Sequence, residues 1–227
     1  MDDTKPLSVE PLSLAPQPVS RSIIPKTDQL LLIALVPLWL VSYFADAWAS
    51  RVMTPYAQFV KHDSDFWFNA KQPGELWVTL LACVLLSILH AWRWRSAAVI
   101  AVAALLGSWL VHTLKWIFGR QRPVTDIDPF VFEWFRGGLA GYFNGQNLSF
   151  ASGHTQMAFM LAAALTFFVP RATIVWYAIA FAVAAERVAE RAHYPSEVLL
   201  GAIVGILSFH AAHRVCLLAT GQNKPNA

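Results

Sequence analysis

Long apolar stretches constrain this chain more than any other feature of its sequence. A bilayer core of about 30 Å needs roughly 20 mostly apolar residues per helix. Six stretches meet this requirement, at residues 28–46, 75–92, 96–118, 153–170, 172–190 and 195–219. The sequence therefore predicts an all-α fold, a polytopic membrane helix bundle with six transmembrane helices.

Composition excludes several other classes of protein. Of the 227 residues, 56% are hydrophobic and 14% are charged, whereas soluble domains average about 45–50% and about 25%. Disordered chains have few apolar residues and many charges. The net charge is only +3 and the basic residues form no long run, so nucleic acid is not an expected partner. Cys83 and Cys216 lie in apolar stretches, which argues against a disulfide framework.

The apolar stretches divide the chain into three predicted parts. Residues 1–26 contain five of the 13 prolines and no apolar run, which is typical of a flexible tail. Residues 27–220 form the predicted membrane domain, and residues 221–227 form a second tail. The first apolar stretch has no small-residue cleavage site, so we interpret it as a retained span and not as a signal peptide.

The connections between the stretches alternate in length. Short turns join the second stretch to the third and the fourth to the fifth, whereas the links at 47–74 and 119–152 are long and rich in aromatic residues. Within these links, Asp65–Asn69 and Phe130–Phe135 are predicted to lie at headgroup level. By parity, the end of the third stretch, the start of the fourth, the end of the fifth and the start of the sixth share one membrane face.

The orientation of the bundle is predicted from its charges. Counting basic residues does not decide it, because eight would lie on one side and nine on the other. The two short turns are basic and contain no acid, and ten of the 14 acidic residues fall on the opposite face. Under the positive-inside rule both tails are cytoplasmic, and the shared face points to the periplasm or the exterior.

The first polar cluster on that face follows the third apolar stretch. Its sequence, KWIFGRQRP, places Lys115 and Arg122 seven residues apart, so both point along one face if the helix continues to Gln121. Basic residues at a helix C-terminus also complement the helix dipole and reach the lipid headgroups. An ammonium and a planar guanidinium together suit a tetrahedral oxyanion such as phosphate.

The second cluster, SFASGH, opens the fourth stretch. Ser152 and Gly153 would present backbone N–H groups at the positive end of the helix dipole, where an anion is stabilised. His154 adds a side chain that titrates near neutral pH. The structural alternative is that Ser152 is only an N-cap and that His154 is an interfacial residue.

The third cluster, ERVAERAHYPSE, runs from the fifth stretch into the sixth. Pro195 suits the first turn of a helix, and His193 and Glu197 are then about one turn apart. The carboxylate can accept a hydrogen bond from one imidazole nitrogen while the other stays free, which gives an oriented nucleophile or base. Salt bridges at the helix end explain Glu190 and Arg191 but not His193.

Together the three clusters predict a phosphoryl-transfer site that needs no metal. Charged residues in membrane helices are costly to bury and are usually functional. In such a site, cations neutralise the phosphate, one histidine attacks the phosphorus, and the other protonates the leaving oxygen. Metal binding by His193 and Glu197, or by His210 and His213, is an alternative that these residues leave open.

The three clusters resemble the signature of the type 2 phosphatidic acid phosphatase (PAP2) superfamily, whose active site is similar to that of vanadium-dependent haloperoxidases. The family pattern is K-x6-R-P, then P-S-G-H, then S-R-x5-H-x3-D. Lys115 to Pro123, Ala151 to His154 and Glu186 to Glu197 match its spacing in the same order, over about half the chain. The resemblance implies a bacterial membrane lipid phosphatase, multi-pass in the inner (cytoplasmic) membrane, with six membrane helices and no cofactor.

By position, the resemblance implies a role for each matched residue. His193 is the nucleophile that forms a phosphohistidine, and Glu197 orients it. His154 is the general acid toward the leaving group. The remaining matched residues bind the phosphate: Lys115, Arg122, Arg187, Ser152 and Gly153.

Three residues depart from the family pattern. Ala151 replaces the usual Pro, and this replacement is expected to loosen the turn before the fourth helix. Glu197 replaces Asp and is one methylene longer, and we expect its contact with His193 to survive. Glu186 replaces Ser beside Arg187, where a carboxylate would either repel phosphate or pair with the arginine.

More than one function agrees with these residues. The expected activity is hydrolysis of a lipid phosphate or diphosphate at the outer face, with undecaprenyl diphosphate, phosphatidylglycerol phosphate and lipid A phosphate as candidate substrates. A phosphotransferase of the same superfamily would instead pass the phosphoryl group to a second lipid. An intramembrane serine protease built on Ser152 would leave the phosphate-binding cations without a purpose. A transporter with a degenerate site would be expected to contain paired broken helices, which the sequence does not indicate.

Overall fold

The computed structural model describes residues 24–62, 69–89, 94–126, 128–143 and 148–220. Its helices are α1 (Lys26–His62), α2 (Leu76–Leu89), α3 (Trp94–Phe118), α4 (Gly138–Phe143), α5 (Gly153–Phe168), α6 (Thr173–Ala189) and α7 (Pro195–Ala219). Short 3-10 helices lie at Gln72–Gly74, Pro123–Thr125 and Pro170–Ala172. These ranges contain no β-strand beyond one isolated bridge, so the all-α prediction is confirmed.

Helix length separates the six predicted stretches into two groups. Among the described residues, four helical segments are long and apolar enough to cross a membrane: Lys26–Ala57, Trp94–Phe118, Pro170–Ala189 and Pro195–Ala219. The other two, α2 and α5, have 14 and 16 residues. A helix of 16 residues is roughly 24 Å long, which is less than the thickness of a bilayer core. Each predicted stretch therefore contains a helix in its described part, and four of these helices have spanning length.

The first helix is longer than the sequence predicted. The predicted end of the first stretch at residue 46 is wrong, because α1 continues through Pro55 to His62, within the predicted link at 47–74. Its 37 residues extend roughly 55 Å, so α1 projects beyond a bilayer core. The predicted interfacial piece Asp65–Asn69 lies almost entirely outside the described residues, as do the two predicted tails.

Helix α5 lies at the centre of the bundle and contacts α3, α6 and α7. Gly201 and Gly205 of α7 form a G-x-x-x-G pair that faces it. A Cβ atom at Gly201 would lie 2.6 Å from the carbonyl oxygen of Ser152, and one at Gly205 would overlap the carbonyl oxygen of Gln156. The two glycines therefore allow α7 to pack directly on the first turns of α5. This contact sets the second and third sequence clusters side by side.

A glycine turn directs the chain after α3. Gly119 has φ +57° and its N–H donates to the carbonyl oxygen of Lys115 at 2.9 Å, which is a common way for a helix to end. The helix therefore ends at Phe118, as the predicted stretch does, and the condition that would have set Lys115 and Arg122 along one helical face is not met. The following residues run beside the segment before α5, where the Ser149 N–H donates to the carbonyl oxygen of Arg120 at 2.8 Å.

Candidate active site

An open cavity of about 310 Å³ lies where the ends of α3 and α6 meet the starts of α5 and α7. The sequence predicted that these four helix ends share one face. Six of the eight predicted site residues line the cavity: Lys115, Arg122, Gly153, His154, Arg187 and His193. The other two, Ser152 and Glu197, are fully buried behind its wall.

His193 occupies the turn before α7 and is 3% exposed. Its Nδ1 lies 3.1 Å from Oε2 of Glu197 and 3.3 Å from Oγ of Ser149. The contact expected of the longer Glu197 is therefore present. Because Nδ1 is engaged, Nε2 is the nitrogen left for chemistry, which is the arrangement required of an oriented nucleophile.

Burial also determines the charge state of His193. Its pKa is well below the ordinary histidine value, first because burial penalises the imidazolium and then because Lys115, Arg122 and Arg187 repel it. The ring is consequently neutral near pH 7. A neutral imidazole has the free electron pair that attack on phosphorus requires.

Glu197 is held by several donors besides His193. Its Oε2 accepts hydrogen bonds from the Ser149 hydroxyl and from the Tyr194 N–H at 3.2 Å. Its Oε1 lies 3.2 Å from Nη1 of Arg120. Sequence reasoning missed both Ser149 and Arg120, although each lies within a cluster that it had singled out.

Arg120 connects this carboxylate to the rest of the bundle. Its guanidinium donates to Oδ2 of Asp46 at 2.7 Å and to Oγ of Ser196 at 3.1 Å. It also lies over the Tyr194 ring, 4.0 Å from the centroid. Asp46 is fully buried in α1. A carboxylate inside a predicted membrane helix is a signal that sequence reasoning could have used.

Arg187 is paired with the carboxylate of Glu186 on its own helix and with that of Glu190, the C-cap residue of the helix. Its Nε and Nη2 each lie 2.5 Å from the Glu186 carboxylate, and Nη2 also donates to Glu190 at 2.5 Å. Of the two alternatives for Glu186, pairing with the arginine is the one observed. These bonds leave Nη1 as the part of the guanidinium that is available to a ligand.

Lys115 and Arg122 differ from the other cations near the cavity. Neither Lys115 Nζ nor the Arg122 guanidinium has a hydrogen-bond or ion-pair partner among the residues that the structure describes, and Nε of Arg122 is buried. By contrast, Arg120, Arg187 and Arg191 each contact a carboxylate. Charges that are withdrawn from water in proteins are normally paired, so these two half-buried cations indicate a site for an anion.

The start of α5 supplies a backbone contribution to this site. Ser152 is the N-cap residue, and its Oγ accepts from the Thr155 N–H at 3.4 Å and from the Thr155 hydroxyl at 3.0 Å. Gly153, the first residue of the helix, lines the cavity. The buried position of the Ser152 hydroxyl does not suit a protease nucleophile, whereas the helix N-terminus suits an anion.

The two histidines near the far end of α7 do not take part in the cavity. Nε2 of His210 lies 2.7 Å from Oδ2 of Asp28, whose Oδ1 accepts from the Tyr177 hydroxyl at 2.7 Å. His213 stacks on Phe209, with centroids 6.0 Å apart. These contacts connect α1, α6 and α7 at the end of the bundle opposite the cavity.

A family model described as the PAP2 superfamily matches residues 96–219, more than half of the chain. The protein belongs to the PAP2 superfamily. The matched residues include every predicted site residue, and the assignment made from the three clusters is confirmed. This membership identifies the chain as a PAP2-type enzyme.

Two solved structures share this fold. LpxE from Aquifex aeolicus has 22% sequence identity and a TM-score of 0.53, and the match covers 70% of this chain and 92% of LpxE. A transmembrane PAP2-type phosphatidylglycerolphosphate phosphatase from Bacillus subtilis has 20% identity and a TM-score of 0.56, covering 86% of this chain and 98% of that one. No curated protein matches the sequence.

Proposed function

We propose that the protein is a six-span membrane phosphatase that hydrolyses a lipid phosphate or diphosphate through a phosphohistidine on His193, without a metal. One observation carries the proposal: Lys115 and Arg122 have no anionic partner among the described residues, and they line the same cavity as His193. A phosphate group would supply the missing negative charge next to an oriented imidazole.

Phosphoryl transfer to the enzyme is the first step. The phosphate lies among Lys115, Arg122, Nη1 of Arg187 and the backbone at Gly153. Nε2 of His193 attacks phosphorus, the bond from phosphorus to the lipid oxygen breaks, and His154 gives its proton to that oxygen. Glu197 stabilises the positive charge that develops on the His193 ring, because its Oε2 lies 3.1 Å from Nδ1.

Hydrolysis of the phosphohistidine is the second step. His154, now neutral, accepts a proton from a water molecule as the water oxygen attacks phosphorus. The bond from phosphorus to Nε2 of His193 breaks, and inorganic phosphate leaves. His154 and His193 return to their starting protonation states, so each turnover consumes one water molecule and releases one phosphate and one lipid alcohol or lipid monophosphate.

The membrane setting supports a lipid as the substrate. The link between α3 and α5 is aromatic, and Phe130, Trp134 and Phe135 are exposed on it, as expected of residues at headgroup level. We assign α2 and α5 as the two remaining spans, with the cavity on the periplasmic or exterior face of a bacterial inner membrane. The name of the Bacillus relative favours phosphatidylglycerol phosphate for the first assay, ahead of undecaprenyl diphosphate and lipid A phosphate.

Phosphate release from these three lipids tests the proposal directly. The purified protein is assayed in detergent with a chelator present, and the wild type is expected to release inorganic phosphate from at least one of them. His193→Ala is expected to be inactive and to lose an acid-labile ³²P label. His213→Gln, a histidine change at the opposite end of the bundle, is the control and is expected to retain activity. Activity that survives in His193→Ala would refute the mechanism.

The acceptor of the phosphoryl group separates hydrolysis from lipid-to-lipid transfer. The cavity is open, and the phosphohistidine is chemically able to react with water or with a second lipid alcohol. A labelled donor lipid is therefore incubated with candidate acceptor lipids. Label recovered as inorganic phosphate supports the phosphatase, whereas label recovered in a second lipid supports the phosphotransferase.

A further inference from the structure

A second carboxylate–imidazole pair lies in the cavity beside that of His193 and Glu197. Oε1 of Glu75 lies 3.0 Å from Nε2 of His154, and the side chains are 38% and 32% exposed, respectively. Both residues line the cavity. We propose that Glu75 is a positioning residue for His154, which it orients and whose charged form it stabilises for proton donation. This inference rests on the proposed function of the site.

The backbone near Glu75 is built to approach His154 closely. The 3-10 helix Gln72–Gly74 packs against α5 and α6. A Cβ atom at Gly74 would lie 2.6 Å from the carbonyl oxygen of His154, so only glycine allows this approach. The Trp77 indole N–H donates to Oε1 of Gln72 at 3.0 Å and attaches the segment to the start of α2. Glu75 therefore reaches His154 from a packed segment.

The charges around His154 explain why a carboxylate is needed there. Partial burial disfavours the imidazolium first, and the cations in the same cavity add to this effect. The carboxylates Glu186 and Glu190 are already bonded to a guanidinium. Glu75 is the carboxylate in direct contact with the ring among the described residues. An opposite charge within hydrogen-bond distance favours the charged form of an imidazole. The other charged and titratable groups that face the cavity are His112 and Lys115 on α3, Arg122 after it, Arg187 on α6 and His193 before α7.

The geometry also assigns the proton that is transferred. With Nε2–H donating to Glu75, the other N–H of the imidazolium is on Nδ1. That proton passes to the lipid oxygen as its bond to phosphorus breaks, and Nδ1 then accepts a proton from the attacking water. Glu75 remains a carboxylate throughout. The two histidines thus use opposite nitrogens, since His193 is held through Nδ1 and His154 through Nε2.

Replacing the charge while keeping the shape tests the inference. Glu75→Gln keeps a hydrogen-bond acceptor but removes the negative charge. In the pH profile of kcat/KM for a dioctanoyl lipid phosphate, we expect the alkaline limb to move about one pH unit lower, because His154 loses its proton more easily without the carboxylate. On that limb kcat/KM should fall about tenfold. Glu75→Asp is expected to recover part of the loss. Glu133→Gln is the matched control, because Glu133 is also half-exposed and ion-paired but does not line the cavity.

A second substrate separates proton donation from damage to the fold. p-Nitrophenyl phosphate has a leaving group that needs no proton, so its kcat/KM is expected to change little in Glu75→Gln. The ratio of kcat/KM for the lipid phosphate to kcat/KM for p-nitrophenyl phosphate, measured in one preparation, does not depend on how much protein is folded. Gly74→Ala, which moves the segment and keeps the carboxylate, is expected to lower the same ratio.

The outcomes distinguish this inference from the proposed function. Suppose that the wild type is active, that His193→Ala is inactive, and that Glu75→Gln has the same kcat/KM as Glu133→Gln on both substrates. The inference about Glu75 is then wrong, whereas the proposed phosphatase activity is supported. Equal losses on both substrates also overturn it, because they indicate a structural role. If wild type and His193→Ala release phosphate equally, the proposed function itself fails.

Discussion

Removing the Asp46 side chain tests whether the buried network behind the cavity supports both stability and catalysis. Asp46 is fully buried. It accepts from Arg120 Nη2 at 2.7 Å, from the Ser196 hydroxyl at 2.5 Å and from the Ser196 N–H at 3.0 Å. In Asp46→Ala the Arg120 guanidinium keeps Glu197 as its one carboxylate contact among the described residues.

The expected loss of stability follows from these contacts. Breaking a buried ion pair by removing one partner costs about 3–5 kcal/mol, and leaving the Ser196 N–H without an acceptor costs about 1–3 kcal/mol. The terms overlap, so we expect about 4 kcal/mol in total. For a chain of this size each kcal/mol shifts the midpoint by about 2–4 °C. The thermal midpoint in detergent should therefore fall by about 8–16 °C.

The same change should lower the catalytic rate of the folded enzyme. Arg120 contacts Glu197, and Glu197 orients His193 through Nδ1. A guanidinium that has lost Asp46 shifts toward Glu197 and disturbs that orientation. Displacements of about 1 Å at such positions cost on the order of a hundredfold in rate. We expect kcat, measured well below the melting temperature, to fall at least about tenfold.

Asp28→Ala is the matched control for this experiment. Asp28 is also a fully buried carboxylate of α1, and it accepts from Tyr177 and His210 at the opposite end of the bundle. This variant should lose stability but retain the kcat of the wild type. An unchanged midpoint in Asp46→Ala would refute the stability argument. Equal losses of kcat in the two variants would refute the link between Arg120 and His193.

Three further predictions concern the cavity wall and the helix contact behind it. Glu186→Ser should free Nε of Arg187 and lower KM about tenfold; a KM equal to that of the wild type in steady-state assays would contradict this. Gly205→Val should overpack α7 against α5 and destabilise the protein by about 1–3 kcal/mol, seen as a lower midpoint than in the control Leu207→Val on the exposed side of α7. Because its pKa is depressed, His193 should stay neutral and reactive as the pH falls through 6.5. In a His154→Gln background, modification of His193 by diethyl pyrocarbonate should therefore slow only when the pH is well below 6.5. A rate of modification that already falls at or above pH 6.5 would contradict the argument that burial and nearby cations keep the ring neutral.

Local spacing was enough to predict much of the site. His193 and Glu197 lie one turn apart around Pro195, and the structure brings Nδ1 and the carboxylate to 3.1 Å. Lys115 and Arg122 reach the same cavity, but through a turn at Gly119 and not along a continued helix. The spacing alone left open how the two residues reach the cavity, because seven-residue spacing does not report where a helix ends.

The contacts that sequence reasoning missed all join distant parts of the chain. Glu75 meets His154, and Asp46 meets Arg120 and Ser196, across separations of 74 to 150 residues. No helical periodicity relates such positions. Which side chains meet depends on how each helix is rotated in the bundle and on how closely it approaches its neighbours.

The sequence by itself determined the helical class, the four helix ends that share a face, the PAP2 family and six of the residues that line the cavity. These features depend on apolar length and on spacing within one or two turns, which the order of residues encodes directly. Only the tertiary structure decided which charges are neutralised. Glu186 pairs with Arg187, Asp46 and Glu197 hold Arg120, and Lys115 and Arg122 have no such partner among the described residues. The physical reason is that charge pairing acts through space over a few ångströms, and only packing brings these groups that close.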